Sequence, residues 1–192
     1  PFDLTVAPMI RVTLIALSEH SHVLVFNIHH IASDGWSMGV MINEFSTLYQ
    51  AFSQGKSNPL GPLTVQYADY AHWQQQWLVG EVLASQLAYW GKQLADCPPV
   101  HSLPLDKPRP EVKQHQGQQL LAQIDEALTA QLQQLAAQHQ VTLFMLLHGA
   151  LALVLARHSN NHDIVVGTPV ANRMQTELEP LIGFFVNTLV LR

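Results

Sequence analysis

The chain is short of charge, of cysteine and of long apolar runs, and each shortage closes off a class of protein. Charged side chains make up 12% of its 192 residues and apolar residues 48%. Ordinary proteins carry about twice that share of charge. Such a chain has the apolar payload to fold and too little charge to stay open, so disorder is excluded. Nine Lys and Arg are spread along the whole length against a net charge of −5. They form no basic stripe, so no nucleic-acid partner is expected. Cys97 is the single cysteine. An internal disulfide is impossible, and the chain reads as cytoplasmic, in a reducing compartment. The longest apolar run, Leu143 to Ala156, is broken by His148. It falls short of the ~20 residues a bilayer requires, and no charged leader precedes an apolar stretch, so no membrane partner is expected. The chain opens at Pro1 without a methionine and stops at Arg192, directly after a strand-like run. These ends read as those of a segment cut from something longer.

What replaces the missing charge is neutral polarity, with 19 Gln and 11 His. Met9–Leu17 and Val23–His30 are rich in β-branched and aliphatic residues and read as two adjacent strands. After them Met38, Met41, Ile42, Phe45, Leu48, Tyr49 and Phe52 recur at helical spacing. Ser33 or Asp34 is placed to cap that helix. Two further helical patterns cover Val65–Leu78 and Glu81–Asp96. Pro98, Pro99, Pro104, Pro108 and Pro110 then fall close together and predict an extended linker. Beyond it the order restarts. A short strand is expected at Gln119–Ile124, then a helix through Leu128, Leu132 and Leu135. Thr142 is placed to cap a helix that is apolar all round and therefore expected to be buried. Asp163–Thr168 and Phe184–Leu191 read as strands joined by a polar loop. The fold class is α/β, in two lobes, each incomplete.

The sharpest local feature is His29-His30-Ile31-Ala32-Ser33-Asp34-Gly35. If the strand continues through it, His30 shares a face with Leu24, Phe26 and Ile28, and His29 faces the other way. His30 then stands at the mouth of an apolar strand, before a glycine turn and a helix start. That frame suits a catalytic side chain, although a histidine at a strand end is more often a hydrogen-bonded structural residue. A metal site is disfavoured, because adjacent strand residues face apart and no other His or Cys cluster has ligand spacing. A Ser–His–Asp hydrolase is weaker still, with no Gly-x-Ser-x-Gly elbow anywhere.

The whole string His29 through Ser37, His-His-x-x-x-Asp-Gly-Trp-Ser, resembles the signature of nonribosomal peptide synthetase condensation domains, in the chloramphenicol-acetyltransferase-like superfamily. Tyr67-Ala-Asp-Tyr-Ala-His-Trp-Gln74 and Ile182-Gly-Phe-Phe-Val-Asn-Thr-Leu-Val-Leu-Arg192 resemble two more of that family's motifs, in the right order. Pro1-Phe-Asp-Leu and Val166-Gly-Thr-Pro-Val-Ala-Asn-Arg173 match connecting segments. The family's earlier and later motifs are missing, so the resemblance implies an internal fragment, less than half a domain.

The resemblance implies a V-shaped pseudo-dimer of two lobes. Residues 1–97 would be the end of the N-terminal lobe, 98–116 a proline-rich linker, and 117–192 the first part of the C-terminal lobe. The implied reaction joins a carrier-bound acyl or peptidyl thioester to a carrier-bound aminoacyl thioester through an amide bond. Upstream and downstream peptidyl carrier proteins and a neighbouring adenylation domain are the implied partners. Both substrates would arrive on 4'-phosphopantetheine, with no bound metal or cofactor. His30 matches the catalytic histidine, as base or as positioner of the amine. His29, Asp34, Gly35, Trp36 and Ser37 would support the motif, with Trp36 packing. Arg173 is the expected partner of Asp34, whose other expected role is the helix cap. Gly35 would give the thioester close approach, and Asn187 is a candidate tunnel-lining residue. His29 argues against a cyclising subtype, and an ordinary L-to-L condensation is favoured. The competing readings are a non-catalytic carrier-docking module of the same fold and a stand-alone coenzyme A-dependent acyltransferase. The isolated 192-residue piece is expected to be inactive.

Overall fold

The computed structural model describes residues 1–112 and 117–192. Residues 113–116, the end of the expected linker, lie outside the described residues. The chain begins with an antiparallel hairpin of β1 (Ile10–Ser18) and β2 (Ser21–Ile28), in register from Ile10 opposite Ile28. Helices α1 (Gly35–Ser53), α2 (Tyr67–Trp77) and α3 (Gly80–Gln93) follow, then α4 (Glu126–Gln138) and α5 (Leu143–Ser159). Strands β3 (Val166–Val170) and β4 (Asn187–Leu191) pair in a second two-stranded sheet. Asp34, of the two candidates, and Thr142 cap their helices as expected, accepting the N–H of Ser37 and Met145. Asp125, which the sequence pattern does not single out, does the same for Leu128 on α4.

The chain divides into two compact units, Pro1–Tyr89 with Thr168–Leu189, and Trp90–Gly167 with Val190–Arg192. In the first unit Phe26 of β2 meets Phe45 of α1 edge-on at 5.5 Å. Tyr70, Leu178, Leu181 and Phe185 form its buried cluster, with Val65 and Tyr67 packed against them. Residues 168–189 therefore group with the histidine motif and not with the residues just beyond the prolines. The second unit holds a feature the sequence does not announce. Arg192 grips both carboxylate oxygens of Asp163 at 2.8 Å and donates to the carbonyls of Gln93 and Ala95 at 2.7 Å.

Three expectations fail. Residues 119–124 are not a strand: Leu120 and Leu121 are 93% and 83% exposed, and no described strand pairs with them. A strand without a partner leaves its backbone groups unbonded and has nothing to hold it. Helix α5 is apolar but not buried; Phe144, Met145, Leu153 and Val154 are more than half exposed. The sequence pattern is right about which residues resist water, but α4, the helix that packs on α5, covers only part of its surface. β2 ends at Ile28, before the histidines, so strand alternation does not set their directions. Among the described residues no single helix is long and apolar enough to cross a membrane.

Candidate active site

Where β2 stops, the backbone N–H of His29 still bonds the Met9 carbonyl at 3.0 Å. The chain then closes one 3-10 turn over His30–Ala32. His29 caps that turn: its Nδ1 accepts the Ile31 N–H at 3.1 Å, and its ring meets Phe2 edge-on. A nitrogen that accepts an N–H carries no proton, so a neutral His29 keeps its hydrogen on Nε2. His30 is the reverse. Its Nδ1 lies 2.6 Å from the Ser33 carbonyl oxygen. A carbonyl only accepts, so Nδ1 carries the proton and Nε2 of the neutral ring offers a lone pair. The His30 ring is exposed and stands perpendicular to Phe184, with centroids 5.2 Å apart. The two neighbouring histidines thus hold opposite tautomers, one spent on the backbone and one available.

Behind them lies a buried polar knot. Asp34 and Arg173 side chains are 3% and 1% exposed, with Oδ1 and Nη2 3.3 Å apart. The same Oδ1 accepts the Ser37 N–H at 2.8 Å, so Asp34 is both cap and ion-pair partner. Its other oxygen accepts the Phe185 N–H at 3.0 Å. Burial, the largest influence, pushes the Asp34 carboxyl up. The N–H and hydroxyl of Ser37, the Phe185 N–H and the Arg173 charge together outweigh it and hold the group below its ordinary value. Ser37, fully buried, joins the parts. Its hydroxyl accepts from Arg173 Nη2 at 2.9 Å and from the Gly183 N–H at 3.0 Å. Its one proton has two acceptors in reach, Asp34 Oδ1 at 2.7 Å and the Gly183 carbonyl at 2.8 Å. The charged carboxylate is the stronger. Arg173 Nη1 also donates to the carbonyls of Leu178 and Leu181, and its guanidinium lies 4.0 Å from the Phe185 ring centroid.

The family model for the condensation domain matches residues 1–192. The chain belongs to the condensation-domain family. A linear gramicidin synthase of Brevibacillus parabrevis has a chain that is 50% identical over all 192 residues, which make up 4% of its length. Malpinin synthetase of Mortierella alpina is 47% identical over 191 residues, 2% of its length. The X-domain from teicoplanin biosynthesis superposes with a TM-score of 0.91 at 31% identity, over all of this chain and 44% of that one. The first condensation domain of the calcium-dependent antibiotic synthetase shares the fold, with a TM-score of 0.70 at 22% identity over 96% of this chain and 42% of that one. The α/β fold is thus the chloramphenicol-acetyltransferase-like one of condensation domains. The chain spans a few per cent of those curated relatives and under half of those solved chains.

In this condensation-domain segment Gly35 is exposed, and a methyl group on it would meet nothing within 4 Å. Packing does not require the glycine, and the space above it is open. Trp36 is 47% exposed: the Arg173 guanidinium lies 5.8 Å from its ring centroid, and its Nε1 donates to the Glu179 carbonyl at 2.9 Å. An indole has one polar edge, and here that edge ends on a backbone carbonyl while the ring lies beside Arg173. Asn187 lies exposed on β4, its amide oxygen accepting the neighbouring Thr188 N–H. Phe184 and the Ser33 carbonyl, which touch His30, carry no role that the sequence announces. The only signal for Phe184 is its place in the third motif.

Gly183 is required by close approach. A Cβ there would stand 2.2 Å from Cδ2 of Tyr67, whose hydroxyl is tied to the Phe184 carbonyl at 2.8 Å. The ring cannot swing away without breaking that bond. Gly183→Ala should therefore destabilise the first unit by about 1–3 kcal/mol, as overpacking does. In denaturant titrations Tyr67→Ala should recover part of that loss in the double variant. A strictly additive pair would show that the clash is absent.

Proposed function

We propose that the chain is the part of a nonribosomal peptide synthetase condensation domain that carries its reacting histidine. The reaction forms an amide between a carrier-bound acyl or peptidyl thioester and a carrier-bound aminoacyl thioester. The observation that carries this reading is the state of His30, held at Nδ1 by a carbonyl with Nε2 left as an acceptor, inside an intact motif. The amine nitrogen of the acceptor attacks the donor carbonyl, the C–N bond forms, and the C–S bond breaks to release the donor's pantetheine thiol. His30 Nε2 accepts the hydrogen bond of the attacking amine, and with it either the proton or only the amine's orientation. Gly35 leaves room for the thioester, and its N–H is the candidate donor to the developing oxyanion. Asp34, Ser37 and Arg173 hold the motif and take no part in the chemistry.

Residues 1–97 and 117–192 belong, in this reading, to successive lobes of the longer domain, joined by 98–116. The substrates come on 4'-phosphopantetheine arms of upstream and downstream carriers, beside an adenylation domain, in the cytoplasm. The favoured subtype joins two L-residues. A second reading has one observation in its favour: a solved relative with a TM-score of 0.90 is an X-domain in complex with OxyB. A recruitment module of that kind would have no need of an intact histidine motif.

The test is to supply the full-length protein containing this chain with one carrier charged as an acyl thioester and one as an aminoacyl thioester. An amide on the downstream carrier is expected, and coenzyme A thioesters should be poor donors. No product would favour the recruitment reading, and equal use of a coenzyme A donor would favour the stand-alone acyltransferase.

A further inference from the structure

We propose that Phe184 is a positioning residue that fixes the plane of the His30 imidazole. The inference rests on the reading that His30 Nε2 meets the attacking amine. An imidazole turns about two side-chain torsions, and the single bond from Nδ1 to the Ser33 carbonyl restrains the ring at one point. The perpendicular Phe184 ring, with centroids 5.2 Å apart and planes at 84°, restrains it from a second side. Aromatic rings favour this edge-to-face arrangement because the positive rim of one meets the negative face of the other. Together the two contacts leave Nε2 one direction.

Phe184 can serve in this way because its own backbone is tied at three consecutive residues. The Gly183 N–H donates to Ser37 Oγ at 3.0 Å, the Phe184 carbonyl accepts from the Tyr67 hydroxyl at 2.8 Å, and the Phe185 N–H donates to Asp34 Oδ2 at 3.0 Å. Gly183 and Phe185 are buried, whereas Phe184 is 41% exposed. The segment therefore presents one ring from a rigid backbone, next to the one histidine of the pair with a free acceptor. It also gives the second and third motifs a reason to act with the first: Tyr67 holds the strip that holds the ring that orients His30.

The experiment compares Phe184→Ala, Phe184→Tyr and His30→Ala in the full-length protein, with chemically charged acyl and aminoacyl carriers. Phe184→Ala should lower kcat about 10- to 100-fold, the loss expected when a reacting group is displaced by about an ångström. KM for both carriers should not move, and Phe184→Tyr, which keeps the ring, should restore most of the rate. If Phe184→Ala keeps kcat within about twofold of the parent while His30→Ala is severely slow, the positioning role is wrong and the functional reading stands. If the loss in Phe184→Ala comes with faster hydrogen exchange at the Gly183 and Phe185 amides, Phe184 is merely structural and the proposal also falls. If His30→Ala itself reacts at the parent rate, the functional reading fails and takes this one with it.

Discussion

Alanine at position 30 should slow amide formation between two charged carriers by about 10²–10⁴-fold, the usual worth of a positioned proton acceptor. Stability should hardly change. His30 is exposed, and truncation removes its bond to the Ser33 carbonyl and its ring contact with Phe184. The adjacent His29→Ala should do the opposite. It removes the cap on Ile31 and leaves that N–H without its partner, a cost of about 1 kcal/mol in stability. Its rate should stay near that of the parent. Steady-state rates and unfolding midpoints of the two variants, measured side by side, decide the matter. Equal losses of rate would mean that the opposite tautomers do not divide the work between the two histidines. A parent-like rate for His30→Ala would remove it from the reaction. The solvent isotope effect then separates base from positioner, since only a base has the amine's proton in flight in the transition state.

The sequence reveals those parts of this site whose determinants are local. An acidic residue directly before a periodic apolar run is a cap, and Asp34 caps α1 for that reason. The Asp34–Arg173 pair spans 139 positions and has no local signal. It is reachable because a buried carboxylate demands a cation and because a family resemblance supplies one. Ser37 is legible as a motif letter but not as the joint between Asp34, Arg173 and Gly183, since a serine carries no pattern that says where its hydroxyl goes. The direction of His30 escapes the sequence for a different reason. Period-two alternation holds only while the chain stays extended, and directly after the His29–Met9 bond it closes into the 3-10 turn His30–Ala32. The apolar girdle of α5 and the expected strand at 119–124 show the remaining gap. Side-chain pattern tells which surfaces avoid water, while burial and strand pairing depend on neighbours that pattern cannot supply.

Replacing Arg173 by leucine should be the costliest single change in the polar knot. It leaves a carboxylate that is 3% exposed without its cation, strips two loop carbonyls, Leu178 and Leu181, of their donor, and removes the cation from the Phe185 ring. Breaking one side of a buried pair typically costs about 3–5 kcal/mol. Two amides report the loss directly, because the Gly183 N–H ends on Ser37 and the Phe185 N–H on Asp34. Their hydrogen exchange should accelerate by about 10²–10⁴-fold when the knot opens at that cost. The deficit should also depend on pH in a defined direction. In the parent the folded Asp34 carboxyl lies below its ordinary 3.8, so its stabilisation is complete above that value and is lost as pH falls through the lowered folded value. Without Arg173, burial counts for more, and the folded carboxyl moves up. Protonation then relieves the stranded charge, so parent and variant should converge as pH falls below 3.8 and differ most near neutrality. A gap of under about 1 kcal/mol near neutrality, the range of an exposed pair, would mean that solvent already compensates Asp34. A gap that stays constant into acid would mean that Arg173 acts through its carbonyl bonds and not through the charge on Asp34.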